Sequence, residues 1–205
     1  ATRTPVVAFH PADLELVKLL LDRGADPAIV SKDGETMVSA AAGLAFIHGY
    51  HRDRPPSERL QVVKLFVQLG NDVNQPDDYG ITPLMAAGNY GDVAIIRYLI
   101  DAGADLGAHD LGKKNDGAFG SSVEPLMPID YAIGVGTFRP NNAVLFMEDA
   151  TKLMTRMMQE RGIRHTTSEC TLRAFSCGDV DPQGASPADI AKGRAIQVGN
   201  QVDGS

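Results

Sequence analysis

Asp78-Tyr79-Gly80-Ile81-Thr82-Pro83-Leu84-Met85-Ala86-Ala87-Gly88-Asn89-Tyr90-Gly91-Asp92, running on to Arg97-Tyr98-Leu99-Ile100-Asp101-Ala102-Gly103-Ala104-Asp105, reads as one unit of a repeat. A Gly-x-Thr-Pro-Leu turn opens a short helix and a Gly-Asp break follows. A second apolar helix then closes at Gly103, before Ala104-Asp105 restarts an extended segment. Pro83 suits the first helical position, where its missing N–H loses no bond, and Thr82 is placed to cap the orphan N–H groups ahead. Gly103 fits the left-handed residue that ends the second helix.

Three other places copy the pattern: Thr4-Pro5 leads to Gly24-Ala25-Asp26, Asp33-Gly34-Glu35-Thr36-Met37 leads to Gly70-Asn71-Asp72, and Met127-Pro128-Ile129 leads to Arg161-Gly162. From the Pro position to the closing Gly the counts are 19, 33, 20 and 34; from closing Gly to the next Pro position they are 13, 13, 25 and 25, the last reaching Ser186-Pro187-Ala188-Asp189-Ile190-Ala191. The tight unit is therefore 33 residues long.

A 33-residue unit of turn plus two helices, with the phrase Thr-Pro-Leu-x-x-Ala, resembles the ankyrin repeat. The third unit carries nearly the whole pattern, the others match in part, and the resemblance spans about residues 4 to 196. It implies an all-α, helix-turn-helix solenoid with extended β-hairpin-like loops. One domain over 1–205 is expected, with repeats near 4–32, 33–77, 78–110 and 127–165 and a cap at 186–196. The family's position after Leu is usually His, which bonds across neighbouring turns. Here it reads Val7, Ser39, Met85, Asp130 and Asp189, which argues against the usual inter-repeat polar network. The chain enters mid-unit, without an Asp-x-x-Gly lead-in, as a truncated or processed N-terminus would.

With 43% hydrophobic residues and no Trp, 205 residues can bury a core without covalent help. A net charge of −7 argues against a general nucleic-acid binder, which needs a basic surface. No apolar run approaches the roughly 18 residues of a membrane span, and no signal-peptide pattern precedes the first repeat.

Along the chain, unit one offers Leu16, Leu19 and Leu20 at helical spacing as core. Unit two holds an insertion between Leu44 and Ser57, after which Ser57 and Glu58 are expected to cap a helix through Val67. Unit four repeats the device with Gly134 to Asn141, and Asn142 is expected to cap a helix to Glu160. The connections Leu106 to Leu126 and His165 to Ala185 are each 12 residues longer than the first two. One is expected to be a mobile loop and the other an extended finger. Loops on a rigid scaffold are where recognition resides.

The densest polar cluster is His48-Gly-Tyr50-His51-Arg52-Asp53-Arg54. A metal on His48, His51 and Asp53 would need further converging ligands, and no other His has ligand-like spacing. The alternatives are a solvated loop or a partner-binding loop. In the latter, Arg52 and Arg54, with Arg139 at the equivalent place in unit four, would share one edge. Arg presents a fork suited to carboxylates, and Tyr50 and Phe138 lie beside these arginines. The resemblance adds Asn89 and Tyr90 in the helix break, and Asp78 and Tyr79 in the hairpin, as positions where ankyrin proteins often contact targets. Cys170 and Cys177 are the only cysteines, with six residues between them; a disulfide would imply an oxidising compartment, periplasmic or secreted, and free thiols a cytosolic one.

Catalysis has little to rest on. No Gly-x-Ser-x-Gly elbow, phosphate-cradling loop or His-Glu-x-x-His helix occurs. Asp77 and Asp78 read as turn residues bonding their own backbone, and the methionines as helix packing. The expectation is a protein-binding module with no cofactor and no chemistry of its own. The alternative is an assembly protein whose repeats stack on other repeats or self-associate, prompted by Val6, Val7 and Phe9 in the half-unit at the start.

Overall fold

The computed structural model describes residues 13–44, 56–112, 124–134 and 147–167. Tyr50, His51, Arg52, Arg54, Phe138, Arg139, Cys170 and Cys177 lie outside them, as do His48, Asp53, the start at Val6, Val7 and Phe9, and the cap at 186–196.

The described residues form helices joined by turns and contain no strand. They are α1 (Leu14–Asp22), α2 (Met37–Ser39, running on as a π-helical turn over Ala40–Leu44), α3 (Pro56–Gln68), α4 (Pro83–Tyr90), α5 (Val93–Asp101), α6 (Pro128–Ile133) and α7 (Glu148–Glu160). They stack in two rows. In one, α4 packs against the end of α2 on one side and α6 on the other; in the second, α3 packs against α1 and α5, and α5 against α7. Pairs such as α4 with α5 and α6 with α7 join the rows.

Unit three shows why the sequence takes this shape. Thr82 Oγ1 accepts from Met85 N (3.4 Å), Pro83 is the first helical residue, and Gly91 ends α4 in the left-handed region. One residue on, Asp92 caps α5, its Oδ1 accepting from Ala94 N and Ile95 N (3.1 Å each). Gly103, at φ +98°, reverses the chain as its position required. Between these signals Ile95, Ile96, Leu99 and Ile100 are fully buried, each worth roughly 1.5–3 kcal/mol in apolar area removed from water. Met85, Met127, Met154 and Met158 are likewise core.

Three expectations change, and a fourth falls largely outside the described residues. In α1 the side chains on the core are buried Val17 and half-buried Leu14 and Leu21; Leu16 and Leu20, equally half-buried, lie off that cluster and Leu19 is 49% exposed. Helix α3 begins at Pro56, so Ser57 lies inside its first turn rather than capping it. Helix α7 begins at Glu148 with Met147 at the cap position, not at Asn142. The connection expected to be mobile begins and ends in packed residues, since Leu106 and Leu126 are both buried; its centre, 113–123, lies outside the described residues.

Buried and surface polar links are present without the family's histidine, one inside unit four and into the segment that follows α7, the other between units two and three. Asp130, in that position in unit four, is completely buried. Its Oδ2 accepts from Met127 N (2.7 Å) and from the Thr167 hydroxyl, and its Oδ1 pairs with His165 Nε2 at 2.6 Å. Asn74 makes a second link, donating to Gly103 O (3.0 Å) and accepting from Asp105 N (2.8 Å).

Candidate functional site

The turns that precede α2, α4 and α6 lie side by side and form one edge of the stack. Each is closed by its own backbone: Ser31 N donates to Glu35 O (2.9 Å), Asp77 N to Ile81 O (3.1 Å) and Asp110 N to Leu126 O (3.0 Å). Aspartates tighten the last two. Asp77 Oδ1 accepts from Tyr79 N (2.9 Å) and Ile81 N (2.8 Å), so it serves its own turn as its sequence context implied. Asp110 Oδ1 accepts from Gly112 N (2.8 Å) and Leu126 N (2.9 Å), which clamps the two ends of the long connection together. Its Oδ2 accepts from Tyr131 Oη at 2.6 Å. Burial, with Asp110 beside it, holds the Tyr131 phenol well above its ordinary pKa, so it stays a neutral donor.

Neighbouring turns are then stitched together. Asp78 N donates to Asp33 O and Leu111 N to Tyr79 O, both at 2.9 Å. The approach is close enough to dictate residue type. Gly80 has φ +83°, and a Cβ there would come 2.7 Å from Leu111 N.

What this backbone presents is both apolar and acidic. Tyr79 is 58% exposed and Leu111 is 71% exposed, on turns bonded to each other. Asp33 and Asp78 are exposed beside them. Glu35 and Asp77 are half-buried, and both carboxyls are pushed above their usual pKa. Desolvation is the main cause for each; the charges of Asp77 and Asp33 add to it at Glu35, and those of Asp78 and Asp33 at Asp77, against the lowering effect of its two N–H bonds.

The structure thus brings Asp78 and Tyr79 to an accessible edge. It does not do so for the helix break. Asn89 is 9% exposed, with the end of α2 and α6 packed on the two sides of α4, and Tyr90 is half-buried with the Arg59 guanidinium over its ring, 3.6 Å from the centroid. Arg59 was not singled out from sequence. It is 1% exposed, donates to Ala42 O (2.9 Å) and Ala41 O (3.4 Å), and pairs with Asp92 Oδ2 at 3.5 Å. It therefore ties the end of α2 to the start of α5. The available signal was its place in the stripe Arg59, Val62, Val63 and Phe66, which has the i, i+3, i+4, i+7 spacing of an inward face.

The row of α3, α5 and α7 carries an open cavity of about 420 Å³ lined by Val93, Arg97, Asp149, Lys152, Leu153 and Arg156. Two of its three cations are already paired along α7, Lys152 with Glu148 (2.5 Å) and Arg156 with Glu160 (3.8 Å). Among the described residues no group of three His, Cys, Asp or Glu could hold a metal, and no helix is long and apolar enough to cross a membrane.

Comparison with known proteins agrees with this architecture. The profile of the family described as ankyrin repeats (3 copies) matches residues 6–110, about half of the chain. Protein phosphatase 1 regulatory subunit 27, from Homo sapiens and from Mus musculus, is 43% identical over 67 residues, which is 33% of this chain and 41% of the relative. The DNA-binding protein RFXANK of Mus musculus is 42% identical over 48 residues, 23% of this chain and 17% of that protein. The chain thus spans less than half the length of these curated relatives. The turn, helix pair and closing glycine recur in the structure as the profile requires, and the chain belongs to the ankyrin-repeat family, whose members generally mediate protein–protein interaction.

Proposed function

We propose that the chain is a protein-interaction module that binds one partner protein through its hairpin edge and catalyses nothing itself. The observation that carries this reading is the exposed Tyr79 beside Asp78, on a turn fixed by hydrogen bonds to both neighbouring turns. An aromatic side chain held on rigid backbone gives contact area at little entropic cost, which is how interface anchors work. Membership of the ankyrin-repeat family and the likeness to a regulatory subunit support binding as the class of activity. The sequences of the two insertions, with Tyr50, His51, Arg52 and Arg54 in one and Phe138 and Arg139 in the other, support a second set of contacts.

Affinity capture from the native source tests this, with wild type, Tyr79→Ala and an Arg52→Glu/Arg54→Glu/Arg139→Glu variant as baits. A specific protein retained by wild type and lost from either variant is the expected result. Equal recovery by all three baits removes both surfaces from the reading. Recovery of only the chain itself, with scattering mass rising with concentration, replaces the module by self-assembly.

A further inference from the structure

We infer that the hairpin edge receives a cationic segment of the partner, an Arg or Lys entering among Asp33, Glu35 and Asp78 while an adjacent apolar side chain lies on Tyr79 and Leu111. This deepens the interaction reading and rests on it. Single exposed hydrophobic residues are ordinary on any surface. Here two large ones occupy turns joined by the Leu111 N to Tyr79 O bond, which presents them together rather than scattered.

Charge says what covers them. The described residues of the three turns, 31–35, 77–81, 110–112 and 124–126, hold six Asp and Glu against one lysine, Lys32. Among the described carboxylates, Asp110 is already engaged by Tyr131 and Asp77 by its own turn, whereas Asp33, Glu35 and Asp78 accept no side-chain hydrogen bond among the described residues. The turns bring these acids close together, Asp78 N donating to Asp33 O at 2.9 Å, with no described cation paired to them. An anionic segment would be repelled. A guanidinium or ammonium forms charge-assisted bonds to the carboxylates, and can rest its stem or its charge on the Tyr79 ring.

The test is selection of phage-displayed random dodecapeptides on the folded chain, followed by affinity measurement of synthetic winners. The expected winners carry Arg or Lys next to Leu, Met, Phe or Tyr. Tyr79→Ala should weaken them by about 30-fold, the size of an interface anchor. Asp33→Asn with Asp78→Asn should weaken them by about fivefold and flatten the fall in affinity with salt. Leu111→Ser gives an independent variant, and circular dichroism checks that each folds. Winners that lack basic residues, or that bind all variants equally, overturn the inference while leaving the module reading intact. Failure to enrich any peptide counts against both.

Discussion

Units three and four open their first helices on the same turn and close it with different groups. In unit three the cap residue reaches forward, Thr82 Oγ1 accepting from Met85 N; unit two does the same with Thr36 and Ser39 N at 3.1 Å. In unit four the cap residue is Met127, which has no side-chain oxygen, and Asp130 reaches back to Met127 N instead. The two solutions differ in what else they demand. A buried hydroxyl is neutral and its bond spans three residues. A completely buried carboxylate is stable only when surrounded by donors, and these come from Thr167 and His165, more than 30 residues along the chain. The first closure is local, whereas the second makes the turn depend on the segment that follows α7.

Removing that carboxylate is the most damaging way to probe the difference. Asp130→Ala leaves Met127 N, the Thr167 hydroxyl and a His165 side chain that is 2% exposed without their acceptor. The expected cost is about 3 kcal/mol or more in urea unfolding, with loss of amide protection over 163–167. A cost below about 1 kcal/mol would mean that the segment holds itself in place and the two turns are equivalent.

Thr82→Ala is the milder counterpart. With a cap bond of 3.4 Å, the expected loss is about 1 kcal/mol or less, confined to the exchange of the first turn of α4. Protection over 163–167 should stay as in wild type. If it fell together with the α4 signal, the closure in unit three would not be local.

The same contrast explains how far the sequence could be read. Pro83, Thr82 and Gly103 act within a few residues, so the repeat and its period were legible from spacing alone. Asp78 and Tyr79 were singled out through the family resemblance, and their exposure follows from their place on the hairpin turn. The inward face of α1 was not: six of its nine residues are apolar, so two stripes have helical spacing and only α3 decides between them. The burial of Asn89 was not legible because it is set by both neighbouring helices rather than by its own segment. The Asp130–His165 pair left no local signal beyond an acid three residues after the cap position, because its partner lies 35 residues along the chain.

The smallest effect sharpens the comparison from the other side, by asking what happens to a partly buried carboxylate that lacks donors. Glu35 directly precedes the Thr36 cap of unit two. Its carboxyl is held above its ordinary value of 4.5 by desolvation, then by Asp77 and Asp33. A carboxyl whose pKa is higher in the folded than in the unfolded chain binds its proton more tightly when folded. Its contribution to stability is therefore present below the unfolded value and is lost as pH rises through the folded one. At neutral pH the ionised group opposes folding. Glu35→Gln should accordingly raise the melting temperature at pH 7, by about 1–2 °C for a half-exposed group in a chain of this size, and the gain should vanish near pH 4. A loss of stability at pH 7 would show that Glu35 has an attractive partner after all, and that the hairpin edge is balanced in the free protein rather than left in want of a cation.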